Sequence, residues 1–133
     1  MDILFIDDDF MSIEPTTEFL KLEGHDIDIV NNVQDALDRY TCNCYDIVFL
    51  DIMFAPSDYF TFEETAGGRY TGLKLLEEFR KIDDAKLRPI KIVMITNWRN
   101  EPQVEASCNK NNAAILRKPL SIESIKDVLD GKS

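Results

Sequence analysis

Five short apolar runs recur along this chain, separated by longer stretches in which apolar residues stand three or four apart. The runs are "ILFI" at 3–6, "DIDIV" at 26–30, "DIVFL" at 46–50, "KIVMI" at 91–95 and "AAILR" at 113–117. Three of them are nearly continuous in apolar residues, the pattern of parallel strands covered on both faces rather than of a half-exposed alternating sheet. The stretches between them, "TEFLKLE", "VQDALDRY", "GLKLLEEFRKI" and "VEASCNK", read as amphipathic helices, and "SIESIKDVL" closes the chain as a fifth. Strand and helix alternating in this way predict an α/β sandwich with right-handed crossovers. In such sheets chemistry collects at the carboxyl ends of the strands.

Those ends are uniformly polar. The first run ends in Asp7, Asp8 and Asp9, the third in Asp51 ("VFLDIM"), the fourth in Thr96 ("VMITN") and the fifth in Lys118 ("LRKPL"). Parallel strands bring carboxylates, a hydroxyl and an ammonium to one edge. Adjacent carboxylates raise one another's pKa and call for a compensating cation. Clustered carboxylates favour a hard divalent ion, and Mg²⁺ is commonly held by one or two of them together with a carbonyl, water and phosphate oxygens. Lys118 and Thr96 add a point charge and a hydroxyl suited to a phosphoryl group, and a remaining carboxylate can serve as nucleophile. Each Asp taken alone is equally an N-cap of the following helix, and Asp9 is read as a solvent-facing or helix-capping residue outside the metal's ligands. The argument rests on their joint placement.

Composition narrows the partners. With 133 residues the chain fits one domain, 1–133, and 44% hydrophobic with 30% charged residues is globular. The net charge of −10 argues against direct nucleic-acid binding. The apolar runs are too short for a membrane helix and no secretory signal opens the chain, so a cytoplasmic location is expected. Cys42, Cys44, Cys108 and the lone His25 match no zinc spacing.

The acidic pair, the lone Asp, the Thr and the Lys-Pro, each in chain order after its strand, resemble the receiver domain of two-component response regulators over essentially the whole chain. The resemblance implies a flavodoxin-like, doubly wound, five-stranded parallel sheet of order 2-1-3-4-5 with five flanking helices. It implies that Asp51 accepts a phosphoryl group from a histidine kinase or histidine phosphotransfer protein. It also implies a Mg²⁺ ion held by Asp8, Asp51 and the Met53 backbone carbonyl, with Asp7 acting partly through water. Thr96 and Lys118 would stabilise the phosphoryl group, a cis peptide would precede Pro119, and the last two helices would offer a homodimer or effector surface. Such a protein is a phospho-acceptor that assists its own phosphorylation and dephosphorylation rather than an enzyme acting on a metabolite.

The chain also departs from that family. Ile115 stands where an aromatic switch residue is usual, so a weaker or differently routed conformational change is expected, and Asn97 stands where a small residue is usual. Met53 and Trp98 occupy the positions that shape the approach of the attacking water, and neither can orient it as a carboxylate or amide does. A long-lived phosphoryl group is therefore expected. Residues 54–71 form an unusually long connection, rich in aromatics and with Gly67-Gly68 as a candidate hinge; it is expected to fold back as a lid, a partner surface or a passive insertion. Two other readings stand beside this one. A haloacid-dehalogenase-type Mg²⁺-dependent phosphohydrolase would use Asp7 and Asp9 as its Asp-x-Asp pair, but "FMS" replaces the usual Gly-Thr and no cap domain is present. A receiver-like interaction module would never be phosphorylated. A flavodoxin is disfavoured because acidic "DDDFMS" repels a cofactor phosphate.

Overall fold

The computed structural model describes residues 1–56, 59–87, 89–97 and 101–131. Its strands are β1 (Asp2–Ile6), β2 (Asp26–Val30), β3 (Ile47–Asp51), β4 (Lys91–Thr96) and β5 (Ala114–Arg117). They alternate with α1 (Phe10–Leu22), α2 (Val33–Cys42), α3 (Thr71–Lys86), α4 (Pro102–Lys110) and α5 (Ile122–Leu129). All strand pairs are parallel, and the sheet order is β2-β1-β3-β4-β5. The flavodoxin-like arrangement expected from the sequence is the one observed.

Alternation of side chains along each strand sorts the core into two layers. Leu4, Ile6, Val48, Leu50, Ile92 and Met94 face one way, against Ala36, Tyr40, Leu76, Phe79 and Cys108 of α2, α3 and α4. Ile3, Phe5, Ile47, Phe49, Val93 and Ile95 face the other, against Ile13, Leu20, Ile125 and Val128 of α1 and α5. Burying each of these large side chains contributes roughly 1.5–3 kcal/mol. The central strands carry apolar residues toward both layers, which explains their continuous runs, whereas the edge strand β2 is only partly covered.

Local signals set the helix starts. Asn32, Asp9 and Ser121 are N-caps whose side chains accept from the backbone N–H of Asp35, Ser12 and Ser124. Helix α1 begins at Phe10, well before the "TEFLKLE" pattern and running through Pro15. Phe10 and Met11 lie 50% and 80% exposed, so the first turn has no apolar stripe to betray it. Cys42 and Cys44 are exposed whereas Cys108 is buried in α4, and burial pushes its thiol up to about 11. No helix among the described residues is long and apolar enough to cross a membrane.

A polar knot ties the helices of one layer to the loops below. Buried Asp83 accepts from Tyr40 Oη at 2.7 and 2.8 Å and from Arg80 at 2.8 Å. Arg80 also donates to the carbonyls of Ile90, Asn111 and Asn112. Removing one donor from a buried carboxylate leaves it undersatisfied. Tyr40→Phe is expected to cost about 1–3 kcal/mol in urea unfolding.

Candidate functional site

Register explains how residues so far apart in sequence meet. β1 and β3 pair Ile6 with Leu50, so Asp7 falls beside Asp51 one step further on. The Lys118 N–H donates to the Thr96 carbonyl at 2.9 Å, extending the β4–β5 ladder and levelling Lys118 with Thr96. Four of the five expected polar positions are thus brought to one edge by backbone pairing alone. Asp8 follows from its neighbour.

The cluster is tight and largely dry. Asp7 and Asp51 are 1% and 5% exposed, Asp8 is exposed, and one carboxylate oxygen from each lies within 4.8 Å of the others. Lys118 Nζ stands 2.8 Å from Asp7 Oδ2, 3.7 Å from Asp51 Oδ2 and 3.3 Å from Ser12 Oγ. Asp7 Oδ1 accepts from the Asp9 N–H at 2.8 Å, and Asp51 Oδ1 accepts a long contact from the Met53 N–H at 3.4 Å. Asp7 Oδ2, though close to the ammonium, accepts no well-aligned hydrogen bond. Among the described residues, the Lys118 ammonium thus faces three clustered carboxylates.

The electrostatics record that imbalance. Burial and then the Asp7 charge push the Asp51 carboxyl up from 3.8 to about 7, against the opposing pull of Lys118. Asp8 is raised as well, by burial and by Asp7. For Lys118, burial opposes the charge, but the Asp7 contact and the Asp51 carboxylate outweigh it and raise its pKa. A buried oxygen lacking an aligned donor, beside two carboxyls held above their ordinary range, is a donor set that fits a hard divalent cation.

The remaining expected residues fall as follows. Thr96 is buried at the end of β4, Met53 is 40% exposed just past β3, and Asp9 caps α1 as expected. Ile115 lies in β5, half-buried and packed on the layer formed with α2, α3 and α4, away from the carboxylates. The Lys118–Pro119 peptide is cis. Trp98 lies outside the described residues. Sequence reasoning missed two contributors. Ser12 turns its hydroxyl to Lys118, and its only signal was being three residues past Asp9. Gly72 opens α3 so close to the sheet that a Cβ there would lie 2.1 Å from the Asp51 carbonyl oxygen, a spacing only glycine permits.

A carboxyl with a folded-state pKa above its unfolded value binds its proton more tightly when folded. Its contribution to stability is therefore lost as pH rises from about 3.8 to about 7. Asp51→Asn removes that loss. In EDTA the variant is expected to gain stability over the parent progressively across this window, and excess Mg²⁺ to shrink the gap. Equal stability of the two proteins at acid and neutral pH in urea melts would contradict the assignment.

Comparison with known proteins agrees with this fold. The family model for the response regulator receiver domain matches residues 3–130. A two-component response regulator from Clostridium difficile aligns at 25% identity and TM-score 0.77, covering 98% of this chain and 93% of that one. A CheY-like receiver domain protein from Methanospirillum hungatei JF-1 aligns at 20% identity and TM-score 0.77, covering 98% and 90%. A response regulator from Burkholderia pseudomallei, solved with a phosphorylated aspartic acid, calcium ion and citrate, aligns at 22% identity and TM-score 0.71, covering 96% and 65%. Sequence comparison with curated proteins finds no match. With a receiver-domain model spanning nearly all of its length and the same fold in solved response regulators, the chain belongs to the response regulator receiver family of two-component systems.

Proposed function

We propose that Asp51 is the phospho-acceptor, receiving its phosphoryl group from a histidine kinase or histidine phosphotransfer protein. The observation that carries this reading is the position of its carboxylate: buried at the end of β3, beside Asp7 and 3.7 Å from the Lys118 ammonium that pairs with Asp7. In the transfer, an Asp51 carboxylate oxygen attacks phosphorus, an O–P bond forms, the N–P bond to the donor histidine breaks, and the imidazole leaves. Lys118 pairs with the added phosphoryl oxygens, and the Thr96 hydroxyl donates to one of them. Asp7, Asp8, Asp51 and the Met53 carbonyl form the set that holds Mg²⁺, which when bound neutralises phosphoryl charge in the site. The phosphorylated aspartic acid and calcium ion of the Burkholderia pseudomallei response regulator support the assignment by analogy.

The signal leaves through a change in conformation. A cavity of about 490 Å³ lined by Glu105, Asn109, Ile115, Leu116, Ser124 and Asp127 lies between α4, β5 and α5. It supports that face as the place for a second copy or an effector. Ile115, in its wall, gives the switch less bulk to move than an aromatic ring.

Incubation with a small phosphodonor and Mg²⁺ is expected to add the mass of one phosphoryl group to the parent chain and none to Asp51→Asn, with EDTA abolishing the gain. Peptide mapping that puts the phosphate on Asp7 would favour the phosphohydrolase instead, and no gain at all would favour a module that is never phosphorylated. The phosphorylated form is expected to be long-lived, because neither a Met at 53 nor a Trp at 98 carries a carboxylate or amide to orient water. Loss of the label within seconds in a chase experiment would overturn that expectation, and Met53→Glu is expected to shorten the lifetime.

A further inference from the structure

The insertion between β3 and α3 is fastened at both ends beside Asp51. Gly72 N–H donates to the Ile52 carbonyl at 2.8 Å and Thr71 Oγ1 to the Phe54 carbonyl at 2.5 Å, closing a neck directly after the acceptor strand. Above the neck the described residues form an ordered body. Thr61 and Glu64 cap each other reciprocally, with Thr61 N–H on Glu64 Oε2 at 2.9 Å and Glu64 N–H on Thr61 Oγ1 at 3.0 Å. Phe54, Phe60 and Thr65 are buried. Ala66, Gly67 and Gly68, all at positive φ, turn the chain back toward α3.

The last residues of the insertion reach across to α4. The Arg69 guanidinium pairs with Glu101 Oε1, and Tyr70 Oη donates to Glu101 Oε2 at 2.7 Å. Gln103 Nε2 donates to Tyr70 Oη at 2.7 Å, and Arg69 lies 5.4 Å from the centre of the Tyr70 ring. Glu101 is the N-cap of α4, yet its side chain makes no capping bond to its own helix. Both of its carboxylate oxygens are engaged by the insertion instead. Glu101 stands five residues after Thr96.

We propose that the insertion is a strap that holds the start of α4 in its resting position, with Tyr70, Arg69 and Glu101 as positioning residues, so that phosphorylation must release it. The proposal rests on Asp51 being the phospho-acceptor. Contacts made in one of two states add their free energy to that state alone. The strap thus lowers the population of the active form and weakens the apparent affinity for a phosphoryl group by the same factor. Because its neck adjoins Asp51 and its far end grips α4, one ordered body links the acceptor to the helix that follows Thr96.

Titration with beryllofluoride and Mg²⁺, followed at the Thr96 amide resonance, tests this. Glu101→Ala is expected to lower the half-saturating concentration about three- to tenfold, as loss of a charge-assisted hydrogen bond and an ion pair allows. Tyr70→Phe, which keeps the ring, is expected to act in the same direction with a smaller effect, and carries the decision if Glu101→Ala does not fold. Glu101→Gln, which keeps an acceptor for Tyr70, is expected to restore part of the parental value, a graded rescue that general loosening of the fold does not give. Half-saturation equal to or weaker than the parent in both Glu101→Ala and Tyr70→Phe overturns the strap. A parent that neither binds beryllofluoride nor gains phosphate on Asp51 overturns the phospho-acceptor reading, and the strap with it.

Discussion

The ammonium of Lys118, set 2.8 Å from Asp7 and 3.7 Å from Asp51, is the contact around which the domain is organised. It joins residues 7, 51 and 118, one from each third of the chain, and no local structure could bring them together. Parallel pairing does so: β1 and β3 are neighbours, β4 lies between β3 and β5, and the long lysine side chain reaches back over β4. A buried charge pair of this kind adds little net stability, whereas removing one partner leaves the other uncompensated at a cost of several kcal/mol. Among the described residues, three carboxylates against one ammonium leave the cluster short of positive charge. That deficit is what suits it to a divalent cation.

Such frustration is tolerable only because the rest of the fold is not frustrated. Two apolar layers, each built from one parity of strand positions, hold the strand ends level regardless of what the charges prefer. The Tyr40–Asp83–Arg80 knot, by contrast, matches its buried carboxylate with two donors and anchors α3 at the end away from the site. The molecule thus keeps its satisfied polar network in the scaffold and its unsatisfied one where chemistry is expected, as local rule-breaking at functional sites leads one to anticipate.

The insertion after β3 adds contacts of its own to the scaffold. β3 and α4 are joined through the sheet and the residues that follow β4. Here a second physical link exists, from the Ile52–Gly72 neck through Tyr70 to Glu101. Ile115, the smaller residue at the β5 position, lies apart from that link, packed on the layer formed with α2, α3 and α4. A strap of polar contacts, partly exposed, is also the kind of element that opens at low cost.

The strand runs, their parallel character and the polar residue closing four of them were legible in the sequence because continuous apolar runs and their end points are local properties. So was the cation demand of Asp7 and Asp8, since adjacent like charges need no fold to repel. The first turns of α1 were not legible, because Phe10 and Met11 are exposed and leave no periodic stripe. Nor were Ser12 and Gly72, whose roles depend on what stands opposite them. The aromatics of the insertion announced that it would fold back, but not where its last residues would land. Sequence alone determined which groups sit at the ends of the strands. Tertiary structure decided which of them touch, that Lys118 leans to Asp7 more closely than to Asp51, and that Glu101 serves the insertion rather than its own helix, because those outcomes depend on distances between elements that no local pattern encodes.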